Sequence, residues 1–279
     1  MAGEADFQRR FGGTERLYGV DGARAIWRAH VAVVGIGGVG SWAAEALARS
    51  GVGQLTLVDL DHVAESNINR QVHALAGTVG QAKVVAMAER IAQINPDCRV
   101  HRVEEFVEPG NWPQLLPPGV TAVVDACDQM KAKVAMAAWA RLTGLLFISV
   151  GAAGGKRLAH KVDVDDLANT THDPLLAQLR YQLRKHHDAP REGRKIGIAC
   201  VFSREAVAPP DPSCAVNGGG DENGNGNGNG SGNENVEGDG TLNCHGYGSA
   251  ASVTATFGLC AAGWLMDRLA SQKPVSATL

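Results

Sequence analysis

Residues 31–40 read VAVVGIGGVG, and residues 55–59 read LTLVD. An apolar run enters a glycine turn, a helical stretch follows, and a second apolar run ends in Asp59, nineteen residues past Gly40. This order and spacing describe a nucleotide-binding strand–helix–strand unit. Gly35 permits the tight turn, and Gly37 and Gly38 carry the chain round it. Gly37 also lets the backbone approach a phosphate, and Gly40 lets helix and strand pack closely. The N-terminus of the helix adds partial positive charge facing the phosphates. Asp59 would accept hydrogen bonds from ribose hydroxyls. Taken alone, the glycines and the acid make a nicotinamide dinucleotide the default ligand.

The residues that follow shift the reading to ATP. The stretch SNINRQ, Ser66–Gln71, puts polar Asn67 and cationic Arg70 in the loop after the second strand. The tetrapeptide GQAK then places Lys83 in the first turn of the next helix. A nicotinamide site has no need of two cations there. A triphosphate does, because its charge must be neutralised as pyrophosphate leaves. In VVDACDQ, Asp125 ends a buried strand and Asp128 sits in the loop beyond it. Ligands of open α/β sheets bind at such carboxyl ends, where Asp128 can hold Mg²⁺ against phosphates or cap the following helix. No GxxxxGK[ST] is present, so this is not a P-loop protein.

Working outward, the pattern alternates. Strands are expected at His30–Val34, Leu55–Val58, Val100–Val103, Val120–Asp125 and Leu145–Val150. Helices are expected at Trp42–Arg49, capped by Ser41, and at Ala82–Ile94 and Lys131–Arg141. The fold class is α/β: a Rossmann-like, doubly wound, mostly parallel sheet with a smaller C-terminal α/β extension. Residues 1–155 read as the ATP-binding adenylation region. Residues 156–279 read as the extension, which completes the fold and contacts substrate, with a helix at Pro174–Arg184 and a strand at Lys195–Ser203. Of the 24 residues from Asn217 to Gly240, ten are Gly, seven Asn and five acidic. Such a tract cannot bury enough apolar surface to offset its chain entropy, and reads as a flexible insertion. A closing helix, about Ser249–Ala270, returns to the core. Its freedom from charge up to Met266 leaves a membrane-associated helix as a minority alternative, but Ala, Ser, Thr and Gly dominate it.

The chain has 279 residues, 44% hydrophobic but only 5% aromatic, so its core is mostly Ala, Val, Leu and Ile. Net charge is −3, which argues against a general polyanion binder and leaves nucleic-acid contact to a local patch. Six cysteines stand without a CxxC pair, which argues against structural zinc. With no secretory signal visible, the setting reads as reducing and cytoplasmic.

Together the glycine turn, SNINRQ, GQAK and DACDQ resemble the ThiF/MoeB/HesA adenylation family, relatives of the ubiquitin-activating enzymes. That resemblance implies that Asp59 holds ribose, Asn67 belongs to the same nucleotide motif, Arg70 and Lys83 hold the triphosphate, and Asp128 serves the magnesium. A carboxylate would attack the α-phosphate of ATP, giving an acyl-adenylate and pyrophosphate. A narrower resemblance spans nearly the whole chain. RFGGTERLYG, GIGGVGSWAAEALARSG, NRQVHAL, GAAGGK, ACVFSREAV and VTATFG are similar to the tRNA threonylcarbamoyladenosine dehydratase branch, which also lacks the CxxC pairs. It implies a tRNA substrate carrying threonylcarbamoyladenosine next to the anticodon. ATP would activate the threonyl carboxylate, and the modification's own carbamoyl group would close a ring.

The resemblance also implies a homodimer in which an N-terminal arginine reaches the partner's ATP. Arg16 is the candidate and Arg10 the weaker one; an arginine capping a local helix is the equal alternative. A cysteine desulfurase or sulfur-acceptor protein is a further partner on this reading. Cys244, beside His245, reads as packing rather than catalytic. Between Asp173 and Lys195, Arg180, Arg184, Lys185, Arg191, Arg194 and Lys195 stand against Asp173, Asp188 and Glu192, a basic stretch suited to tRNA or to a solvated helix. The Gly/Asn tract is not part of the family pattern. Three rival readings are adenylation of a ubiquitin-like sulfur carrier's C-terminus, a nicotinamide-dependent oxidoreductase, and a non-catalytic nucleotide-binding scaffold.

Overall fold

The computed structural model describes residues 6–191, 193–211, 213 and 247–271. The Gly/Asn tract and Cys244 lie outside these. A single seven-stranded sheet organises the described residues: β1 (His30–Val34), β2 (Gln54–Val58), β3 (Arg99–Val103), β4 (Ala122–Asp125), β5 (Leu146–Val150), β6 (Val162–Asp166) and β7 (Ala199–Ser203). The strand order is β3-β2-β1-β4-β5-β7-β6. All neighbours are parallel except β6 and β7, which pair antiparallel at the edge. β1 runs beside β2 from His30↔Gln54 to Val34↔Val58 and beside β4 from Val31↔Ala122 to Val34↔Asp125. Strand order reverses between β1 and β4, so the crevice beyond their carboxyl ends is where an open sheet binds its ligand.

Both faces of the sheet are covered, which is why β1 is buried at every position. Val31 and Val33 face one apolar layer with Leu47, Met87, Phe257 and Leu265. Ala32 and Val34 face the other, with Met136, Leu176, Leu183 and Phe202. The first layer is built by α1 (Phe7–Arg28), α2 (Gly40–Arg49), α3 (Lys83–Ile94) and α6 (Ala251–Ser271); the second by α4 (Met130–Thr143) and α5 (Pro174–His186). Helix α6 crosses α2 so closely that a Cβ on Gly258 would lie 2.5 Å from the Val39 carbonyl oxygen. It is therefore a core helix. Among the described residues no helix is long and apolar enough to cross a membrane, which removes the spanning alternative for Ser249–Ala270.

Several local expectations change. The N-terminal segment forms α1, with a break at Gly19 (φ 74°), despite four glycines that disfavour a helix. Packing on α6, where Gly22 sits against Ala270, supplies what propensity does not. The strand expected over Lys195–Ser203 shortens to Ala199–Ser203, because Gly197 adopts φ 86°. Ser41 does not cap α2. The cap position is Val39, without a side-chain bond, and Ser41 Oγ instead accepts from the Val72 N–H at 3.4 Å.

Candidate functional site

A cavity of about 620 Å³ opens at the carboxyl ends of the strands. Its floor is the glycine turn. Gly35 has φ 85°, and a Cβ there would meet the Ala126 carbonyl oxygen at 2.8 Å, so the turn rests directly on the loop after β4. A Cβ on Gly40 would lie 1.8 Å from the Gly35 carbonyl oxygen. Gly40 thus serves the closure of the turn itself as much as the packing of helix on strand. A Cβ on Gly37 would meet nothing within 4 Å, which leaves open space where a phosphate would sit. Gly38 lies beside Arg70 and Thr254; a Cβ there would come within 3.3 Å of each side chain. With no side chain capping α2, its N-terminal N–H groups keep their attraction for an anion.

Asp59 follows β2 and is buried. Its carboxylate accepts from the Ile36 N–H at 2.6 Å and the Asp61 N–H at 2.9 Å, which fixes the acid against the glycine turn. Burial raises its proton affinity, while the Lys83 charge and these two N–H groups oppose that rise. Lys83 is the first residue of α3 and is also buried. Its ammonium pairs with Asp61 at 2.6 Å. Asn67 is buried in a short 3₁₀ turn and accepts from the Ala64 N–H at 3.0 Å. The Arg70 guanidinium donates to the Ser66 carbonyl at 2.8 Å and to Asn69 Oδ1 at 3.0 Å. The Arg70 carbonyl, in turn, accepts from the Trp42 indole at 2.9 Å. Gly35, Gly37, Gly38, Asp59, Asn67, Arg70, Lys83 and Asp128 all line the one cavity. Residues up to 93 positions apart in sequence therefore share a single site.

The β4 side is held by a buried ion pair. Lys133 of α4 and Asp125 of β4 are both wholly buried, 2.8 Å apart. Lys133 also donates to Ser149 Oγ at 3.1 Å and the Val150 carbonyl at 2.9 Å, and Ser149 donates to Asp125 at 2.7 Å. Burial opposes the Lys133 charge, but the Asp125 carboxylate outweighs it and the ammonium is held above its ordinary range. Asp125 also accepts from the Cys127 N–H at 3.3 Å and the thiol at 3.1 Å. Burial, with Asp125 beside it, pushes that thiol well above its usual range, so Cys127 is an inert neighbour. Asp128 follows, exposed and without a hydrogen-bond partner among the described residues; it does not cap α4, whose cap position is Gln129. A free carboxylate beside a phosphate-sized space suits Mg²⁺, which takes one or two carboxylates and completes its shell from phosphate and water. Among the described residues no cluster of three His, Cys, Asp or Glu forms a ready-made metal cage.

Some candidates fall elsewhere. Arg16 lies exposed on α1 and does not line the cavity. Arg10 donates to the Ile94 carbonyl at 2.7 Å, at the end of α3 opposite Lys83. The basic stretch is partly spent on structure. Arg180 donates to Leu167 O, Thr170 O and Thr170 Oγ1, and Arg184 to the Pro190 carbonyl. Lys185, Arg191, Arg194 and Lys195 remain exposed. Two contributors were not singled out from sequence: Asp61, signalled only by the second acid in VDLD, and Lys133, a lysine within an Ala-rich helix.

Comparison with known proteins bears on the fold and the family. The ThiF family model matches residues 13–278. The tRNA threonylcarbamoyladenosine dehydratase of Escherichia coli K12 is 42% identical over 268 residues, 94% of each chain. The enzyme of the same name from Haemophilus influenzae is 38% identical over 277 residues, 98% of each. Two solved structures of the Escherichia coli dehydratase, one in complex with ATP and one with AMP, each superpose with a TM-score of 0.79 at 41% identity over 94% of this chain. They cover 94% and 95% of those chains. The seven-stranded sheet, the cavity at its reversal point and matches that run almost end to end converge on one statement: the chain belongs to the ThiF family.

Proposed function

We propose that this chain is an ATP-dependent tRNA threonylcarbamoyladenosine dehydratase. The observation that carries this is the convergence of Gly35, Gly37, Gly38, Asp59, Asn67, Arg70, Lys83 and Asp128 on one cavity in a chain so similar to dehydratases over its length. Asp59 stands where ribose hydroxyls would be received. The glycine turn and the uncapped N-terminus of α2 would carry the α-phosphate region, with Arg70 and Lys83 meeting the charge of the departing pyrophosphate. Lys83 would exchange Asp61 for phosphate as ATP enters. Asp128 would hold Mg²⁺, whose contribution is to neutralise phosphate charge.

The reaction then runs in two balanced steps. A threonyl carboxylate oxygen attacks the α-phosphorus and the bond to pyrophosphate breaks, giving an acyl-adenylate. The substrate's carbamoyl group attacks the acyl carbon and gives up a proton, AMP leaves, and the ring has closed with net loss of water. The nucleophile belongs to the substrate, so the inert state of Cys127 is no obstacle. We read residues 1–155 as the adenylation region and 156–279 as the part that meets substrate. We further read the enzyme as a cytoplasmic homodimer with Arg16 directed at the partner's nucleotide, and a cysteine desulfurase or sulfur acceptor as an accessory partner.

The test is incubation with ATP and Mg²⁺, with and without threonylcarbamoylated tRNA. AMP formation that requires the modified tRNA supports the reading. AMP formation that needs a carrier protein instead, or binding of NAD but not ATP, overturns it.

A further inference from the structure

The cavity is longer than its nucleotide-binding end. Sheet order sets the sequence of its walls: residues after β3, β2 and β1 line one half, Asp128 after β4 stands in the middle, and residues after β5 and β7 line the other half. Ribose-receiving Asp59 and the glycine turn belong to the first half. The second half is walled by Ala153 and Gly154 after β5, Leu175 at the start of α5, Val207 and Pro209 after β7, and Tyr247 just before α6.

This second half is apolar because its nearby charges are consumed by its own scaffold. Asp173 is buried, with one oxygen accepting from the Ala152 N–H at 2.9 Å and the other from the Leu176 N–H at 3.0 Å. Lys156 is buried and donates to the His172 carbonyl at 2.8 Å and to the Glu205 carbonyl. Glu205 itself accepts from the N–H groups of Arg157 and Leu158. Three of these walls are tied at Gly155. Its N–H donates to the Gly248 carbonyl at 3.0 Å, and its carbonyl accepts from the Ala208 N–H at 2.9 Å. Gly155 has φ 68°, and a Cβ would strike Val207 and Ala208 at 2.8 Å, so the knot requires glycine. Gly248, held by this bond, fixes the backbone beside Tyr247, whose side chain remains substantially exposed.

We propose, resting on the dehydratase reading, that this half is a base slot. It takes the modified adenine extruded from a single-stranded anticodon loop, with the Tyr247 ring as its stacking face. A preformed apolar slot with one exposed aromatic ring matches the face of a heteroaromatic base, which must leave its stack to reach an enzyme's reacting atoms. A phosphate would find no free cation among these walls. An extended peptide tail needs a row of free main-chain groups, and here Ala152 N–H, both groups of Gly155, Ala208 N–H and the Gly248 carbonyl are already paired. The same slot therefore favours a tRNA base over a carrier protein's C-terminus.

The test measures ATP affinity and, separately, kcat/KM for threonylcarbamoylated tRNA by AMP release, in the full chain and in Tyr247→Ala and Tyr247→Phe. The expected result is a roughly ten- to hundredfold lower kcat/KM for tRNA in Tyr247→Ala, with ATP affinity unchanged, and near wild-type behaviour in Tyr247→Phe, which keeps the stacking face. Wild-type kcat/KM in Tyr247→Ala overturns the slot alone. So does a parallel loss of ATP affinity, which would place the ring on the nucleotide. If the wild-type protein forms no AMP with modified tRNA, the dehydratase reading itself falls, and the slot with it.

Discussion

At the scale of single residues, the site is a set of charges held ready by other charges. Lys83 is poised by Asp61, and its removal should cost transition-state charge neutralisation rather than fold. Lys83→Ala and Arg70→Ala should each lower AMP formation at least about a hundredfold, with a native circular-dichroism spectrum; near-normal activity in both would remove the phosphate assignment. Lys133 differs, because Lys133→Met strands the Asp125 carboxylate in the core. Breaking a buried pair on one side costs about 3–5 kcal/mol, which urea unfolding would read. His73 gives a pH dependence. Both its ring nitrogens are buried without partners among the described residues, and burial, with Lys83 and Arg90 nearby, depresses its proton affinity from 6.5 to about 4. The unfolded chain therefore binds the proton more readily. Stability is full above pH 6.5 and falls as pH drops towards 4, by about 2 kcal/mol between pH 7.5 and 5 from this residue. His73→Leu should flatten that slope in urea midpoints taken at the two pH values. Asp59, Arg70 and Lys83 were legible because local spacing encodes them. Asp61 and Lys133 were not, because their meaning lies in what they pair with after folding.

At the scale of elements, the glycine turn can be dissected by what each absent Cβ would touch. Gly40→Ala places a methyl inside the Gly35 carbonyl, so the turn must open, at about 1–3 kcal/mol or more, and ATP affinity should fall with stability. Gly37→Ala meets nothing in the protein, so stability should hold while ATP affinity alone falls, because the methyl occupies the phosphate's space. Thermal unfolding and ATP titration of both variants separate the two; equal behaviour would mean that no phosphate sits at Gly37. Of the six parallel strands, β1, β2, β4, β5 and β7 could be read from sequence because both their faces are buried, which leaves apolar runs bounded by turns. β6 could not. Its sequence, VDVDD, is half-exposed at an edge and acquires order only from pairing with β7. Nor could α1, where contact with α6 overrides glycine's poor propensity. The far half of the cavity was equally hidden, since its walls come from four segments, three of them tied together at Gly155.

At the scale of the whole molecule, the open question is whether one chain makes a complete site. Arg16 is exposed on α1, has no hydrogen-bond or ion-pair partner among the described residues, and lies outside the cavity of its own chain. Beside it Leu17 and Val20 are 74% and 56% exposed, a small apolar face suited to a second copy. If the homodimer we propose exists with Arg16 crossing its interface, each site takes Lys83 from one protomer and Arg16 from the other. Arg16→Ala and Lys83→Ala homodimers should then both be poorly active, for different reasons. In a heterodimer of the two, one site inherits both defects and the other neither, because two-fold symmetry exchanges the contributions. A refolded equal mixture, half of whose dimers are mixed, should regain about a quarter of wild-type AMP formation. An arginine that only caps its own helix predicts no such recovery. The mixture would then be no more active than the mean of its parents, and α1 would be a scaffold for α6 alone.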